Sequence, residues 1–141
     1  EKLNIKSISS ANEIYKQVDS FEELWPKSRS EFEKDLNNCV NIYLKKSGKK
    51  IRKSYTNKFH NTFRKNILGI DRSLQGMALE AITEINLSPT TPQGNTIKPL
   101  KYDKKGKWRY RNGDFRLIYF PDVKKGEILL ISFGSRGSSY H

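Results

Sequence analysis

Cysteine and histidine are scarce in this chain, and their scarcity excludes several kinds of site. Cys39 is the single cysteine, so the chain can form no internal disulfide and no thiolate-rich metal site. The only histidines are His60 and His141, and neither HExxH nor CxxC spacing occurs. No P-loop or GxGxxG fingerprint is present. We therefore predict no metal and no small-molecule cofactor. Cys39 is expected in the core and His60 on the surface.

Long apolar runs are also missing. No run approaches the roughly 18–20 residues that a membrane-spanning helix needs, so no membrane span is predicted. No leader with charged, then apolar, then small residues is visible, so no intact secretory signal is expected. The first residue is Glu1 rather than Met, which leaves open that the chain is a fragment of a longer polypeptide.

Acidic side chains are few relative to basic ones. The chain has 15 Asp and Glu against 27 Lys and Arg, a formal net charge of +12. Residues 1–50 hold 10 basic and 8 acidic side chains, whereas residues 51–141 hold 17 basic and 7 acidic ones. The net charge of +10 in residues 51–141 predicts an acidic partner, such as nucleic acid, for that part of the chain.

The stretch KWRYRNGDFRLIY, residues 107–119, carries the strongest local signal in the sequence. Asn112-Gly113 between alternating residues predicts a hairpin with a type I′ turn, because both central positions of that turn need positive φ. A turn at this pair also fixes the register of the two strands. The predicted cross-strand pairs are Arg111 with Asp114, Tyr110 with Phe115, and Arg109 with Arg116.

Period-two alternation divides the two strands of this hairpin between two faces. One face is expected to be core or sheet cover: Trp108, Tyr110, Phe115, Leu117 and Tyr119. The other face is mostly basic: Lys107, Arg109, Arg111, Asp114 and Arg116. Two arginines directly opposite each other repel. A polyanion bound on that face would offset the repulsion, because both guanidinium groups attract it. We interpret Arg111 and Asp114 as a cross-strand ion pair worth under about 1 kcal/mol.

Periodic apolar residues predict helices before the hairpin. Ser20–Glu23 and Ser28–Glu31 fit capping boxes, which open short helices within residues 1–50. The second box begins an amphipathic run with these apolar positions: Phe32, Leu36, Cys39, Val40, Tyr43 and Leu44. Two further helices are predicted over Asn57–Leu68 and Asp71–Leu87.

Strands are predicted around these helices. Lys49–Tyr55 reads as an edge strand, and Thr90–Lys101 as a loop that brings Lys98 and Lys101 toward the sheet. Glu127–Phe133 is apolar on both faces, which is typical of a central strand. The order predicts an α+β fold. Its antiparallel sheet contains the edge strand and a C-terminal three-strand meander, with a helical hairpin packed on one face and an N-terminal helical extension.

Several features of residues 50–141 occur together in one known superfamily. They are the strand–helix–helix opening, the Ser88-Pro89 helix stop, KPL before the hairpin, WRYRNGDFRLIY in the hairpin, and GSRGSSY near the end. Residues 50–141 thereby resemble the RelE/ParE superfamily of bacterial toxins. The resemblance implies a toxin domain over residues 50–141 and leaves residues 1–49 as a helical extension of unknown role.

This superfamily contains two activities. RelE-like and HigB-like toxins cleave mRNA, usually in the ribosomal A site, whereas ParE-like toxins bind and poison DNA gyrase. The resemblance places the ribonuclease positions at Lys107, Arg109, Arg116, Arg136, Tyr140 and His141. The ending departs from the commoner His-Arg-Arg-Glu-Val-Tyr pattern at Ser135, Gly137 and Ser138. The identity of the general base therefore stays open.

RNA cleavage without a metal uses the 2′-OH as nucleophile, so it needs a base, cations for the phosphorane, and an acid for the leaving 5′-oxygen. Arginine suits the second role because its planar fork binds two phosphate oxygens. We assign that role to Arg109, Arg116 and Arg136. Histidine titrates at about pH 6.5 and tyrosine at about 10, so His141 is a better proton carrier than Tyr140, which can also stack on a base. Further RNA contacts are assigned to Lys98, Lys101, Lys107 and Arg111.

The predicted function is a toxin endoribonuclease that acts in the cytoplasm on mRNA at the ribosome. Its predicted partner is an antitoxin or, if the chain is the tip of a larger delivered polypeptide, an immunity protein. The inhibitor is expected to be acidic, because it must bind a surface with a net charge of +10. Two alternatives remain: a DNA gyrase inhibitor on the same fold, and a non-catalytic RNA-binding module.

Overall fold

The computed structural model describes residues 29–101 and 105–135. Three helices and five strands occur in this order: α1 (Arg29–Lys46), β1 (Thr56–Phe59), α2 (Asn61–Leu68), α3 (Arg72–Leu87), β2 (Ile97–Pro99), β3 (Trp108–Asn112), β4 (Phe115–Asp122) and β5 (Glu127–Ser135). The predicted α+β class is confirmed. The capping residues predicted at Ser20 and Ser28 lie outside the described residues. Within the described part of the chain, no helix combines the length and the apolar character that crossing a membrane requires.

The five strands form one sheet in the order β1-β5-β4-β3-β2. The β2–β3, β3–β4 and β4–β5 pairs are antiparallel, so the predicted meander is present. β1 runs parallel to β5, which the sequence did not predict. β5 is therefore a central strand, as its apolar sequence indicated, with β1 on one side and β4 on the other.

The first strand lies later in the chain than predicted. Residues 49–55 connect α1 to β1 without forming a strand, and β1 occupies positions 56–59, where a helix was expected to begin. The helix begins after His60, which is its extended N-cap residue. Asn57 and Phe59 are buried in β1 while Thr56 is exposed, and this alternation is typical of a half-covered strand. β2 is a three-residue strand within the segment that was predicted to be a loop.

The hairpin register differs from the predicted one. Asn112 pairs with Phe115, so the two-residue loop is Gly113-Asp114 rather than Asn112-Gly113. Gly113 has φ of +60°. Among the described residues, only glycines have positive φ, so Asn112 and Asp114 do not. A type I′ turn needs positive φ at both central positions, whereas a type II′ turn needs it only at the first, which is where Gly113 lies. The loop therefore begins one residue later, and the predicted type I′ turn is wrong.

The helices cover one face of the sheet and form the core with it. The sheet contributes these buried residues: Phe59, Tyr110, Leu117, Tyr119, Ile128, Leu130 and Phe133. The helices contribute apolar stripes that include Phe32, Leu36, Val40, Phe63, Ile67, Leu79, Ile82 and Ile85. A register shift between Ile118 and Tyr119 lets both Leu130 and Phe133 of β5 face the helices. Cys39 is buried in this core, as predicted.

The free edge of β1 is hydrogen-bonded to helix α1. The N–H groups of Thr56 and His60 donate toward the β5 side, so the polar backbone groups of Asn57 point away from the sheet. The side-chain amide of Asn37 bonds both of them, because its Oδ1 accepts from the Asn57 N–H at 2.8 Å and its Nδ2 donates to the Asn57 carbonyl at 3.0 Å. Asn86 of α3 donates to the Asn57 side-chain oxygen at 2.9 Å. Three asparagines thus join α1, β1 and α3.

Other groups complete both edges of the sheet. Arg29 donates to the Phe59 carbonyl and, at 2.6 Å, to Asn61 Oδ1. At the opposite edge, the N–H of Gln93 donates to the Ile97 carbonyl at 2.9 Å, and the Ile97 N–H donates back to the Gln93 carbonyl at 3.3 Å. The outer backbone groups of β1 and β2 at these positions are therefore bonded within the chain.

Candidate nucleic-acid interface

The face of the sheet away from the helices carries the basic side chains of the hairpin. β3 and β4 contribute Arg109, Arg111 and Arg116, and β2 adds Lys98, which pairs with Arg109. The register sets Arg109 opposite Ile118 and Arg111 opposite Arg116. Lys98, Arg109, Arg111 and Arg116 therefore occupy adjoining positions, and we call this set the basic face.

Arg111 and Arg116 stand directly opposite each other on neighbouring strands. The Arg111 N–H donates to the Thr96 carbonyl at 2.8 Å, so its backbone polar groups point toward the β2 side and away from β4. The Arg111–Arg116 pair is consequently of the non-hydrogen-bonded kind, in which side chains lie closer together than in a hydrogen-bonded pair. Two like charges in this position destabilise the sheet, and an anion bound between them would remove that repulsion.

Arg109 is held in place by a neutral group. Its Nη1 donates to the Asn95 carbonyl at 2.8 Å. The pKa of Arg109 lies below its usual value, first because burial desolvates the guanidinium and second because Arg111 places a like charge nearby. Arginine remains protonated at neutral pH even so. Arg109 is thus an oriented, partly desolvated cation whose charge the Asn95 carbonyl does not neutralise.

Within the described hairpin, Arg111 does not pair with Asp114, so the predicted ion pair is wrong. Asp114 belongs to the turn, and the register sets Arg116 in the position where Asp114 was expected. Arg111 Nε instead donates to the Gly113 carbonyl at 3.4 Å, a long contact with a neutral group. The predicted opposition of Arg109 and Arg116 is wrong for the same reason, and these two residues are diagonal neighbours.

Two small or aliphatic residues form the floor of the basic face. Ile118 and Ser132 pair across β4 and β5, and each is only 4% exposed. Ile118 is buried without belonging to the core cluster beneath the helices. Long arginine side chains can cover such a residue with their aliphatic stems while the charged ends stay in water. The sequence analysis did not single out either residue, because Ile118 follows the last arginine of the hairpin and Ser132 lies in a strand that is otherwise apolar on both faces.

The aromatic residues of the hairpin belong to the opposite, helix-covered face, as predicted. Phe115 stacks on Phe133 with ring centroids 5.5 Å apart, and Trp108 packs against the core. The Tyr119 hydroxyl donates to the Pro89 carbonyl at 2.8 Å. Burial raises the pKa of Tyr110 to about 12, with Glu84 and Glu80 adding to the shift. These rings are structural parts of the sheet and do not face the basic side.

The remaining predicted site residues lie at the margins of the described structure. Lys101 is exposed after β2, and Lys107 is half-buried just before β3. Arg136, Tyr140 and His141 lie outside the described residues. Near the end of β5, Gly134 lies opposite Arg116, and the last residue, Ser135, lies opposite Phe115. The last described residues therefore lie at the end of the sheet that carries the Arg111–Arg116 pair.

The described parts of the chain offer no ready metal site. Among residues 29–101 and 105–135, no three His, Cys, Asp or Glu side chains are grouped so that they could hold a metal ion. The chemistry that the basic face can support is the binding of anions through guanidinium groups, which match the geometry of phosphate oxygens.

Comparison with known proteins identifies the fold. No protein-family model and no curated protein sequence matches the chain. Among solved structures, the chain is similar to the RelBE2 toxin–antitoxin complex from Mycobacterium tuberculosis, with 23% identity and a TM-score of 0.50 over 59% of this chain and 99% of that one. It is similar to the RelE–RelB complex from Pyrococcus horikoshii, with 23% identity and a TM-score of 0.50 over 61% and 99% of the two chains. The isolated Escherichia coli RelE toxin matches with 17% identity and a TM-score of 0.51 over 62% and 89%.

These matches show that the chain has the fold of RelE toxins. They cover nearly the whole of the known structures but only 59–62% of this chain. The chain therefore contains that fold together with additional residues.

Proposed function

We propose that this chain is an endoribonuclease toxin that cleaves mRNA on the ribosome. The observation that carries the proposal is the basic face, where two strands bring three arginines together and set two of them directly opposite each other. The presence of this face on the fold of RelE toxins supports the proposal further.

The proposed reaction is an attack of the RNA 2′-OH on the adjacent phosphate. The 2′-oxygen forms a bond to phosphorus, the bond to the 5′-oxygen breaks, and the products are a 2′,3′-cyclic phosphate and a 5′-OH. The attacking hydroxyl gives its proton to a base, and the leaving 5′-oxygen receives one from an acid. Negative charge grows on the phosphate oxygens between these steps, and fixed cations stabilise it.

The basic face suits this charge stabilisation. In the proposed complex, Arg111 and Arg116 hold the two non-bridging oxygens of one phosphate from neighbouring strands. Arg109 is already oriented by the Asn95 carbonyl at 2.8 Å, so it can meet the developing charge without reorganising. Lys98, opposite Arg109, is assigned to the neighbouring phosphate.

The base and the acid are assigned to the end of the chain. Arg136, Tyr140 and His141 follow β5, whose last residues lie at the same end of the sheet as Arg116. We propose His141 or Tyr140 as the proton carrier and Arg136 as a further phosphate ligand. Histidine changes protonation near neutral pH and tyrosine does not, which favours His141.

The proposed partner is an acidic protein inhibitor, either an antitoxin or an immunity protein. Two of the similar solved structures are complexes of RelE toxins with RelB antitoxins. An inhibitor that covers the basic face must supply carboxylates, because like charges across an interface weaken binding strongly.

The test is to sequence the RNA 5′ ends after brief expression of the full chain, with a ligation step that captures 5′-OH ends. We expect new 5′-OH ends within coding regions. Replacement of a pre-organised phosphate ligand lowers such rates by about 10²–10³, so Arg116→Ala should remove most of these ends. Lys65→Ala, an exposed lysine on α2, removes the same charge from the other side of the sheet and serves as the matched control.

Two results would contradict the proposal. Intact mRNA together with chromosomal breaks would identify a gyrase poison, and uncut RNA with harmless expression would identify a binding module. Wild-type cleavage by Arg116→Ala would show that the site has been placed on the wrong residues even if the function is right.

A further inference from the structure

A second basic feature lies outside the basic face. A cavity of about 500 Å³ opens between the connection from α1 to β1 and the loop after α3. Ligand pockets in proteins commonly have volumes of about 300–1,000 Å³, so this one has room for a nucleotide unit. The connection lines it with Lys49, Lys50, Arg52 and Lys53, and we call these four residues the linker cluster.

Most of the positive charge in the linker cluster is not neutralised. Glu84 is the carboxylate among the lining residues, and it already pairs with Lys49 at 3.8 Å. Lys53 donates to the Val123 carbonyl at 2.8 Å and lies 5.4 Å from the centre of the Tyr55 ring. Both of these partners are neutral, so they fix the position of the ammonium group without cancelling its charge.

Lys50 and Arg52 are exposed on the same connection. Together with Lys53 they place three cations beside one cavity, with no carboxylate in the lining except the one that Lys49 engages. A single anionic group is too little to balance them. An extended anion with several charges is a better match.

The opposite wall of the cavity is uncharged and combines the apolar residues Leu87 and Pro89 with polar ones. Its polar residues are Ser88, Thr90, Thr91 and Gln93, whose hydroxyl and amide groups can donate hydrogen bonds. Cations on one wall and neutral donors on the other suit a phosphate with its attached sugar, because phosphate oxygens and ribose hydroxyls both find partners.

The same loop connects this cavity with the basic face. The loop that supplies Ser88 and Gln93 continues through Asn95, whose carbonyl accepts from Arg109, into β2, which carries Lys98. A strand of RNA bound across the basic face can therefore continue around the β2 edge to the cavity along this uncharged loop, and it meets basic side chains again at the linker cluster. This continuity favours nucleic acid over an acidic peptide as the occupant.

We propose that the linker cluster is a second phosphate-binding site, which holds single-stranded RNA on one side of the scissile phosphate. The proposal rests on the proposed function for the identity of the nucleic acid, but its test does not require cleavage. The linker cluster gives the connection between α1 and β1 a role in substrate binding that the basic face alone does not provide.

The test measures binding of the full chain to a 2′-O-methyl RNA of about 15 nucleotides, which has no free 2′-OH and cannot be cut. For single strands, the logarithm of the binding constant falls with the logarithm of salt concentration by about 0.7 per phosphate contact. Lys50→Ala with Arg52→Ala should therefore reduce the slope by about 1.4. Between 50 and 200 mM salt, this is about a sevenfold smaller loss of affinity.

Lys34→Ala with Lys65→Ala is the control, because it removes two exposed lysines from α1 and α2 and changes the net charge equally. The control should keep the wild-type slope. Equal slopes for the two double variants would overturn the proposal. A second result would also overturn it. If the linker-cluster variant alone loses binding to a polyglutamate peptide but keeps the wild-type RNA slope, the cavity binds an acidic protein instead of RNA.

The two proposals can fail separately. If no 5′-OH ends form in cells but the linker-cluster variant still lowers the slope, the proposed function is wrong and the second RNA site stands. If 5′-OH ends form and the slopes are equal, the second site is wrong and the proposed function stands.

Discussion

The opposed arginines of the hairpin predict an unusual combination of effects when one charge is removed. Arg111→Gln keeps most of the side-chain length and removes the charge that faces Arg116 across the strands. We expect this change to stabilise the fold and to reduce cleavage. The two effects have opposite signs because the like charges repel each other in the free protein, whereas a phosphate bound between them would offset that repulsion.

The expected gain in stability is modest. Two unit charges about 6 Å apart in a water-like dielectric repel by about 0.7 kcal/mol. Like charges directly opposite in a sheet are destabilising by about 0.2–1 kcal/mol, which agrees with that value. The contact that Arg111 loses, to the Gly113 carbonyl, is 3.4 Å long and offsets little of the gain. For a domain of this size, we expect the melting temperature to rise by about 1–4 °C.

Salt separates this electrostatic gain from changes in packing. The Debye length falls from about 10 Å at 0.1 M salt to about 3 Å at 1 M, so the stabilisation by Arg111→Gln should nearly vanish at high salt. Thermal unfolding of the wild type and the variant at both salt concentrations measures the effect. Cleavage of RNA by the same preparation should fall by about 10²–10³.

Asp114→Asn is the control for this experiment. If Arg111 were paired with Asp114, that substitution would destabilise the protein; because the structure sets Arg116 opposite Arg111, we expect its effect to stay within about 0.5 kcal/mol. Destabilisation by Arg111→Gln, or a gain that is the same at both salt concentrations, would refute the reasoning.

Three further predictions concern the fold. Asn37→Ala should lower the free energy of unfolding by about 2–4 kcal/mol in urea titrations, because it leaves the N–H and C=O of Asn57 without their partners, whereas the exposed neighbour Asn38→Ala should change it by under about 0.5. Phe32→Ala should cost about 3–5 kcal/mol if α1 is an integral part of the core, since this ring is 0% exposed; a loss below about 1 would show that α1 is an accessory. The raised pKa of Tyr110, about 12, means that the unfolded chain ionises first as pH rises, so stability should decline between about pH 10 and 12, by at most about 1.4 kcal/mol per unit for this group. Tyr110→Phe should make that decline shallower, and an unchanged slope would contradict the assignment.

The sequence predicted the faces of the elements better than their registers. The apolar stripe on α1 and the division of the hairpin into an aromatic and a basic face are both present. The residues were assigned to the correct faces even though the turn was wrong. The observed cross-strand pairing differs from the predicted one by two residues, and a shift of two preserves the alternation between faces. The predicted cross-strand partner of each arginine was wrong, because the pairing depends on which residues of the turn take positive φ.

The two edge strands illustrate what local sequence could not indicate. β1 is four residues long and buries Asn57, which the sequence placed at the start of a helix. Its burial depends on Asn37 and Asn86, which lie 20 and 29 residues away in the chain. β2 has three residues and includes Pro99, so no alternation could reveal it. The site residues after Ser135 stay predictions.

The closed edges of the sheet restrict how any protein can recognise this chain. Proteins often bind a sheet by adding a strand to an edge, where unpaired backbone groups supply most of the affinity whatever the side chains are. Here the amide of Asn37 and the carbonyl and N–H of Gln93 already bond those groups at Asn57 and Ile97. The proposed inhibitor would therefore have to recognise side chains, and the prominent ones are cations. Its affinity for the chain would be high in dilute buffer and low in concentrated salt. A single charge reversal on one partner would abolish binding, and a matching reversal on the other would restore it.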